Sequence, residues 1–283
     1  MRLEFAKMHG LGNDFMVLDL ISQDFEPTRE EIRAWADRRT GVGFDQLLTI
    51  SAPTDPDADF RYRIYNADGA EVEQCGNGAR CAARFVAERE LSPKDTLVLE
   101  TLAGPIATTL VDAETVEVDL GIPSTRAEDV PFSPEAARGS RGDGVRTFTL
   151  SAEEGEHEVT PVSVGNPHGV LLVTHIADAP VDAIGDSLTR HPFFPEGANI
   201  GFCQVVDPQF VRLRVYERGV GETRACGTGA CAAVIVGQML GRLNERVKVS
   251  LPGGKVRIAW QGPGTTVRMA GPATLVYEGH MSL

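Results

Sequence analysis

Long hydrophobic runs are missing from this chain. No stretch of its 283 residues approaches the roughly 18 apolar positions a membrane span needs. The opening segment, Met1 to Lys7, lacks the apolar core of a signal peptide and reads as an alternating strand. Cationic excess is missing too: 27 Lys and Arg face 40 Asp and Glu, a net charge of −13, which argues against a general nucleic-acid-binding role. Cysteine is sparse, and the five present cannot all pair within one chain, so a reducing, cytoplasmic setting is the simplest reading. Neither glycine cluster is followed by the Lys-Ser/Thr of a phosphate-binding loop. The histidines show no metal-ligand spacing, and no pyridoxal-phosphate or nucleotide signature is recognisable. Cofactor-free, metal-free chemistry on a small molecule is the direct reading.

What is present is a duplication. Cys75-Gly76-Asn77-Gly78-Ala79 recurs 151 residues later as Cys226-Gly227-Thr228-Gly229-Ala230. At the same offset Arg61-Tyr62-Arg63-Ile64-Tyr65-Asn66 matches Arg212-Leu213-Arg214-Val215-Tyr216-Glu217, and Glu71 matches Glu222. Gly12-Asn13-Asp14 resembles Gly165-Asn166-Pro167 at an offset of 153, which also sets Gln46 opposite Asn199. The period is far too long for a solenoid. It describes two domains of one ancestral design, and 42% hydrophobic residues suffice for two cores.

Strand alternation is clear in Phe60 to Tyr65, Thr96 to Glu100, Val116 to Leu120, Phe210 to Tyr216 and Val247 to Leu251. Helices are expected at Thr28 to Arg39, with a Thr28/Glu31 capping box, and after each Cys-Gly motif, at about Gly78 to Glu90 and Gly229 to Leu240. The last is apolar on most sides and therefore buried. The expected class is α+β, with strands wrapped around a central helix in each half. Ser124 to Val145, rich in Pro, Gly, Ser and charge, reads as the crossover between halves with a mobile loop.

Each motif cysteine enters a helix through glycines that let backbone N–H groups approach a ligand. Such an N-terminus holds a carboxylate, and its positive end is expected to lower a thiol pKa toward neutrality. Two such thiols facing each other across one substrate form an acid/base pair able to invert a carbon centre beside a carboxylate. Competing readings are structural cysteines, a zinc site and ordinary Asn/Gly turn chemistry. Zinc would need Cys75 with Cys81, five residues between, and Cys226 with Cys231, four between, against a usual two to four, and the histidines add no ligand spacing. Cys81, Cys231 and Cys203 read as core.

Met8-His9-Gly10-Leu11-Gly12-Asn13-Asp14-Phe15, Gln74 to Cys81, Gly165-Asn166-Pro167-His168 and Glu217 to Gly229 together resemble the diaminopimelate epimerase family over nearly the whole chain. Proline racemase-like enzymes share the two-thiol plan but have histidine where this chain has Asn77. The resemblance implies a pyridoxal-phosphate-independent isomerase that interconverts LL- and meso-diaminopimelate, and a homodimer. By it, Cys75 and Cys226 are the acid/base pair, with His168 and Glu217 also important for catalysis. Gly76, Asn77, Gly227 and Thr228 surround the reacting carboxylate. Asn13, Gln46, Asn66, Asn166, Asn199, Glu217 and Arg218 bind the remaining groups. The family often has threonine before Asn199, where this chain has Ala198. The resemblance also suggests a first domain of about 1–124 joined by the tail 272–283, and a second of about 125–271.

Overall fold

The computed structural model describes residues 2–73, 75–126, 129–142, 145–152 and 155–282. Gln74 of the first motif, and Ala127-Glu128 and Asp143-Gly144 of the expected crossover and loop, lie outside them. The chain divides into two compact units, residues 1–119 with 270–283, and residues 120–269. The expected divisions were 125 and 272. Residues 120 and 121 join the second unit through Leu120 N–H to Val267 O and Val267 N–H to Gly121 O, each 2.9 Å.

In the first unit the order is β1 (Arg2–Gly10), β2 (Asn13–Asp19), α1 (Arg29–Ala36), β3 (Gln46–Ser51), β4 (Phe60–Asn66), β5 (Glu71–Val72), α2 (Gly76–Glu88), β6 (Thr96–Thr101), β7 (Gly104–Leu110) and β8 (Thr115–Asp119). The second runs β9 (Gly139–Arg141), β10 (Thr147–Ala152), β11 (Gly155–Ser163), β12 (Pro167–Leu172), α3 (Val181–Thr189), β13 (Asn199–Asp207), β14 (Phe210–Glu217), β15 (Gly221–Thr223), α4 (Gly227–Met239), β16 (Arg246–Leu251) and β17 (Gly254–Trp260), and β18 (Val267–Pro272) begins in it and ends in the first. The closing strand, β19 (Thr274–Ser282), returns to the first unit and pairs antiparallel with β1.

The two units share one strand plan. In the first, β2 and β3 are parallel, β3 and β4 antiparallel, and β4 and β6 parallel. In the second, β12 and β13, β13 and β14, and β14 and β16 repeat that sequence. The registers repeat as well. Phe15 faces Gln46 as His168 faces Asn199, and Leu47 faces Tyr65 as Ile200 faces Tyr216. A one-residue slip would turn each strand's buried face outward, so the shared register means the same core pattern was kept in both halves.

A central helix fills each unit. From Asn77 to Ala83 every residue of α2 is buried, and so is all of α4 from Gly229 to Gly237. The first helix touches β1, β2, β3, β4, β7, β8 and β19; the second touches β11, β12, β13, β14 and β17. The other face of each sheet carries a shorter helix. Ile32 and Ala36 of α1 pack on Leu3, Met16, Leu18 and Leu47. Val181, Ile184 and Leu188 of α3 pack on Leu150, Ile200 and Phe202. No helix among the described residues is long and apolar enough to cross a membrane.

Helix α1 has the expected capping box: Thr28 Oγ1 accepts from Glu31 N–H at 3.3 Å, and the Glu31 carboxylate accepts from Thr28 N–H at 2.8 Å. It ends three residues before Arg39 because Asp37 leaves helical geometry and takes the N–H groups of Arg39 and Thr40. Helix α3 was not anticipated, although Val181, Ile184 and Leu188 carry a helical apolar spacing. Nor is Ser124 to Val145 a plain loop. It contains a 3-10 turn at Pro134–Ala136 and the strand β9, and Phe132 stacks on Phe193 at 5.1 Å.

A matched ion pair braces the hairpin leading to each Cys-Gly motif. Arg63 forks onto Glu71 at 2.8 and 3.0 Å, and Arg214 onto Glu222 at 2.7 and 2.7 Å. Both are bidentate, the strong form of such a contact. The last glycine of the first motif is fixed by contact: a Cβ on Gly78 would lie 2.2 Å from the Tyr62 hydroxyl. Gly78→Ala should therefore cost about 1–3 kcal/mol in chemical denaturation. Adding Tyr62→Phe, which removes the clashing oxygen, should recover part of that loss; no loss in the single variant would refute the contact.

Candidate active site

In the first unit the parallel strands β2 and β3 begin, and β4 ends, on the same edge of the sheet. Asn13, Gln46 and Asn66 occupy those three termini. A two-residue turn, Leu11-Gly12, with φ of 60° and 88°, delivers Asn13 to its place. Both signs are those of the tight primed hairpin turn. Gln46 Nε2 donates to Asn66 Oδ1 at 2.9 Å. Cys75, half-buried, is the N-cap of α2, and its Sγ accepts from Gly78 N–H at 3.4 Å. Asn13 Oδ1 lies 3.8 Å from Cys75 Sγ and accepts from Asn77 Nδ2 at 3.3 Å. Asn13, Cys75 and Asn77 thus meet at the helix start, and Gln46 joins Asn66 beside them on the strand edge.

In the second unit the equivalent edge holds Asn199 at the start of β13, Glu217 at the end of β14, and Asn166 just before β12. Cys226 is the N-cap of α4, 4% exposed, with Sγ 3.7 Å from Thr228 Oγ1. The Glu217 carboxylate accepts from Thr223 Oγ1 and is hydrogen-bonded to Cys226. Burial raises the Glu217 pKa, against the lowering effect of those bonds. Arg218 N–H donates to Asn199 Oδ1 at 2.9 Å, and its guanidinium donates to Glu196 O at 2.6 Å. His168 Nε2 lies 3.0 Å from Asn166 Oδ1, while Nδ1 is buried without a partner among the described residues. Burial lowers the His168 pKa to about 3, so its imidazole is neutral. Asn166 can only accept through Oδ1, which puts the ring proton on Nε2.

One electrostatic expectation is corrected. A helix N-terminus was expected to pull the thiol pKa down. At Cys226 the Gly229 N–H does act in that direction, but burial, followed by the neighbouring Glu217 charge, pushes the thiol well above its usual range. Desolvation of the thiolate outweighs the helix end. Cys81 and Cys203 are buried thiols raised to about 12 by desolvation, and Cys231 is fully buried within α4. Among the described residues no group of three or more His, Cys, Asp or Glu is arranged to hold a metal ion.

The chain's residues 5–125 and 160–276 match the family model described as diaminopimelate epimerase. A protein named diaminopimelate epimerase from Pseudomonas paraeruginosa is 52% identical over 283 residues, covering all of both chains. The chain belongs to the diaminopimelate epimerase family. Among solved structures, a hydroxyproline epimerase from Agrobacterium vitis superimposes with a TM-score of 0.69 at 16% identity, covering 100% of this chain and 93% of that one. A phenazine biosynthesis protein of the PhzF family from Bacillus anthracis gives 0.69 at 18% identity over the full length of both. These likenesses carry the fold.

Behind Asn13 lies a charged network that no motif in the sequence marks. Lys7, nearly buried, donates to Asp14 at 2.5 Å and to Gly43 O. Arg38 reaches both Asp14 oxygens, at 2.6 and 3.0 Å, and Asp45 at 2.8 Å. The available signal was Asp14 and Asp45 standing directly beside Asn13 and Gln46. Burial alone would raise the Asp14 pKa, but hydrogen bonds and charges from Arg38 and Lys7 hold it down at about 2, below the ordinary 3.8. Its folded value is depressed, so the stabilisation is complete above pH 3.8 and is lost as pH falls toward 2. Allowing for solvent screening, the contribution is about 1–2 kcal/mol. Asp14→Asn should flatten that part of the stability profile in denaturation between about pH 5 and pH 2; an unchanged acid limb would contradict the assignment.

Proposed function

We propose that this chain is a cofactor-independent epimerase that interconverts LL- and meso-2,6-diaminopimelate by removing one α-proton and returning another to the opposite face. The duplicated thiol carries this reading. In each unit a cysteine caps the N-terminus of a buried helix, at equivalent places in one strand plan. Full-length identity of 52% to a protein of that name supports the choice of substrate.

The chemistry divides among the residues as follows. One cysteine, as thiolate, takes the α-proton, and the electron pair moves into the adjoining carboxylate. Backbone N–H groups of Gly76, Asn77, Gly227 and Thr228 bind that carboxylate, where helix dipoles stabilise the growing charge. The second cysteine, as thiol, gives its proton to the other face. The reverse direction exchanges the roles. Glu217, bonded to Cys226, and His168, neutral with an open Nδ1, assist proton movement. Asn13, Gln46, Asn66, Asn166 and Asn199 bind the polar ends of the substrate. Arg218 suits its distal carboxylate and Glu217 its ammonium group. In this reading the enzyme is a cytoplasmic homodimer serving lysine and peptidoglycan precursor synthesis.

Reduced protein without added cofactor should convert LL-diaminopimelate to the meso isomer in heavy water, with loss of the α-proton NMR signal. Cys75→Ser and Cys226→Ser should each lower turnover by about 10²–10⁴-fold. Exchange with proline or hydroxyproline but not diaminopimelate would overturn the substrate. Full activity in either cysteine variant would overturn the two-thiol chemistry.

A further inference from the structure

We propose that Arg80 and Asp45 are positioning residues that pin the amides of Asn77 and Asn13 from opposite ends, so that Asn13 presents an acceptor to the Cys75 thiol. Arg80 is fully buried in the second turn of α2. Its Nη2 donates to Asn77 Oδ1 at 2.9 Å, and its Nε donates to Pro272 O at 3.2 Å. Asn77 Nδ2 donates to Asn13 Oδ1 at 3.3 Å, and Asn13 Nδ2 donates to Asp45 Oδ2 at 3.1 Å. Arg38 holds Asp45 from behind.

The direction of this chain follows from the groups at its ends. A guanidinium has only donors and a carboxylate only acceptors. Asn77 must turn its oxygen to Arg80 and its nitrogen to Asn13. Asn13 must turn its nitrogen to Asp45, which leaves its oxygen toward Cys75 Sγ, 3.8 Å away. The sulfur then donates S–H to Asn13 and accepts from Gly78 N–H at 3.4 Å. An amide turned the other way would offer N–H₂ to the sulfur and favour S⁻. The pinned orientation therefore favours the protonated thiol, the form that delivers a proton.

The second unit lacks both ends of the chain. At the repeat offsets Arg80 corresponds to Cys231 and Asp45 to Ala198. Cys226 has Thr228 and Glu217 beside it instead. The device belongs to one thiol, so the two halves, alike in backbone, prepare their sulfurs differently. Its consequence for turnover rests on the epimerase reading above; its effect on Cys75 does not.

The test is substrate-free alkylation by iodoacetamide, quantified at each cysteine by peptide mass spectrometry, beside kcat and KM for LL-diaminopimelate. Asp45 is half exposed, and Asp45→Asn is isosteric. That variant should raise the Cys75 alkylation rate about threefold, leave Cys226 unchanged and lower kcat more than it raises KM. Asp45→Glu should restore both. Arg80→Gln should act in the same direction. The double variant should exceed the product of the singles, because each single leaves one pin in place. Unchanged Cys75 reactivity in folded Asp45→Asn, or singles that multiply independently, would overturn the proposal. If Arg80→Gln fails to fold, the Asp45 pair decides alone. Altered Cys75 reactivity in a protein that exchanges no diaminopimelate proton would keep the positioning and discard the epimerase reading.

Discussion

A thiol at the N-cap of a buried helix is the constraint on which the site depends. A helix start leaves backbone N–H groups without helical partners, and inside a protein each needs an acceptor. Cys75 Sγ supplies one to Gly78. A sulfur is only a weak acceptor. The sheet enforces this start: Tyr62 lies beneath Gly78, and its hydroxyl donates to Cys75 O at 3.3 Å. Core packing and the capping thiol thus meet in the same turn of backbone.

The duplication preserves backbone more faithfully than side chains. Strand order, parallel pairs and registers recur, and so do the Arg–Glu braces of the two hairpins. The polar residues at the strand ends have diverged. One thiol sits among amides, the other against a carboxylate and a threonine. At Cys226 burial and the neighbouring Glu217 charge oppose ionisation.

Much of this was legible in the sequence because it was written twice. The offset of 151 to 153 residues picked out Asn13 with Asn166, Gln46 with Asn199 and Cys75 with Cys226; the strand registers align Gln46 with Asn199, and both cysteines are the N-caps of the central helices. The two central helices were legible from their apolar composition. Features that occur once were harder to read. Arg80 stands within an otherwise small and apolar helix start, where a lone arginine gives no hint of which groups it will meet. Asp14 and Asp45 are separated by 31 residues, and only the parallel pairing of β2 with β3 brings them together. Helix α3 is short and follows a proline-containing loop, so its three apolar anchors were too few to stand out. The state of Cys226 was misjudged for a different reason: local sequence reports the helix start, whereas desolvation is set by the whole fold.

The most direct measurement of the central claim is where deuterium first appears when LL-diaminopimelate reacts in heavy water. At early times, with the LL and meso isomers separated and each analysed by mass spectrometry, two distinct groups should place deuterium in the meso product while recovered LL substrate stays largely unlabelled. Equal early labelling of both isomers would mean that one group serves both faces, and would contradict the two-thiol account.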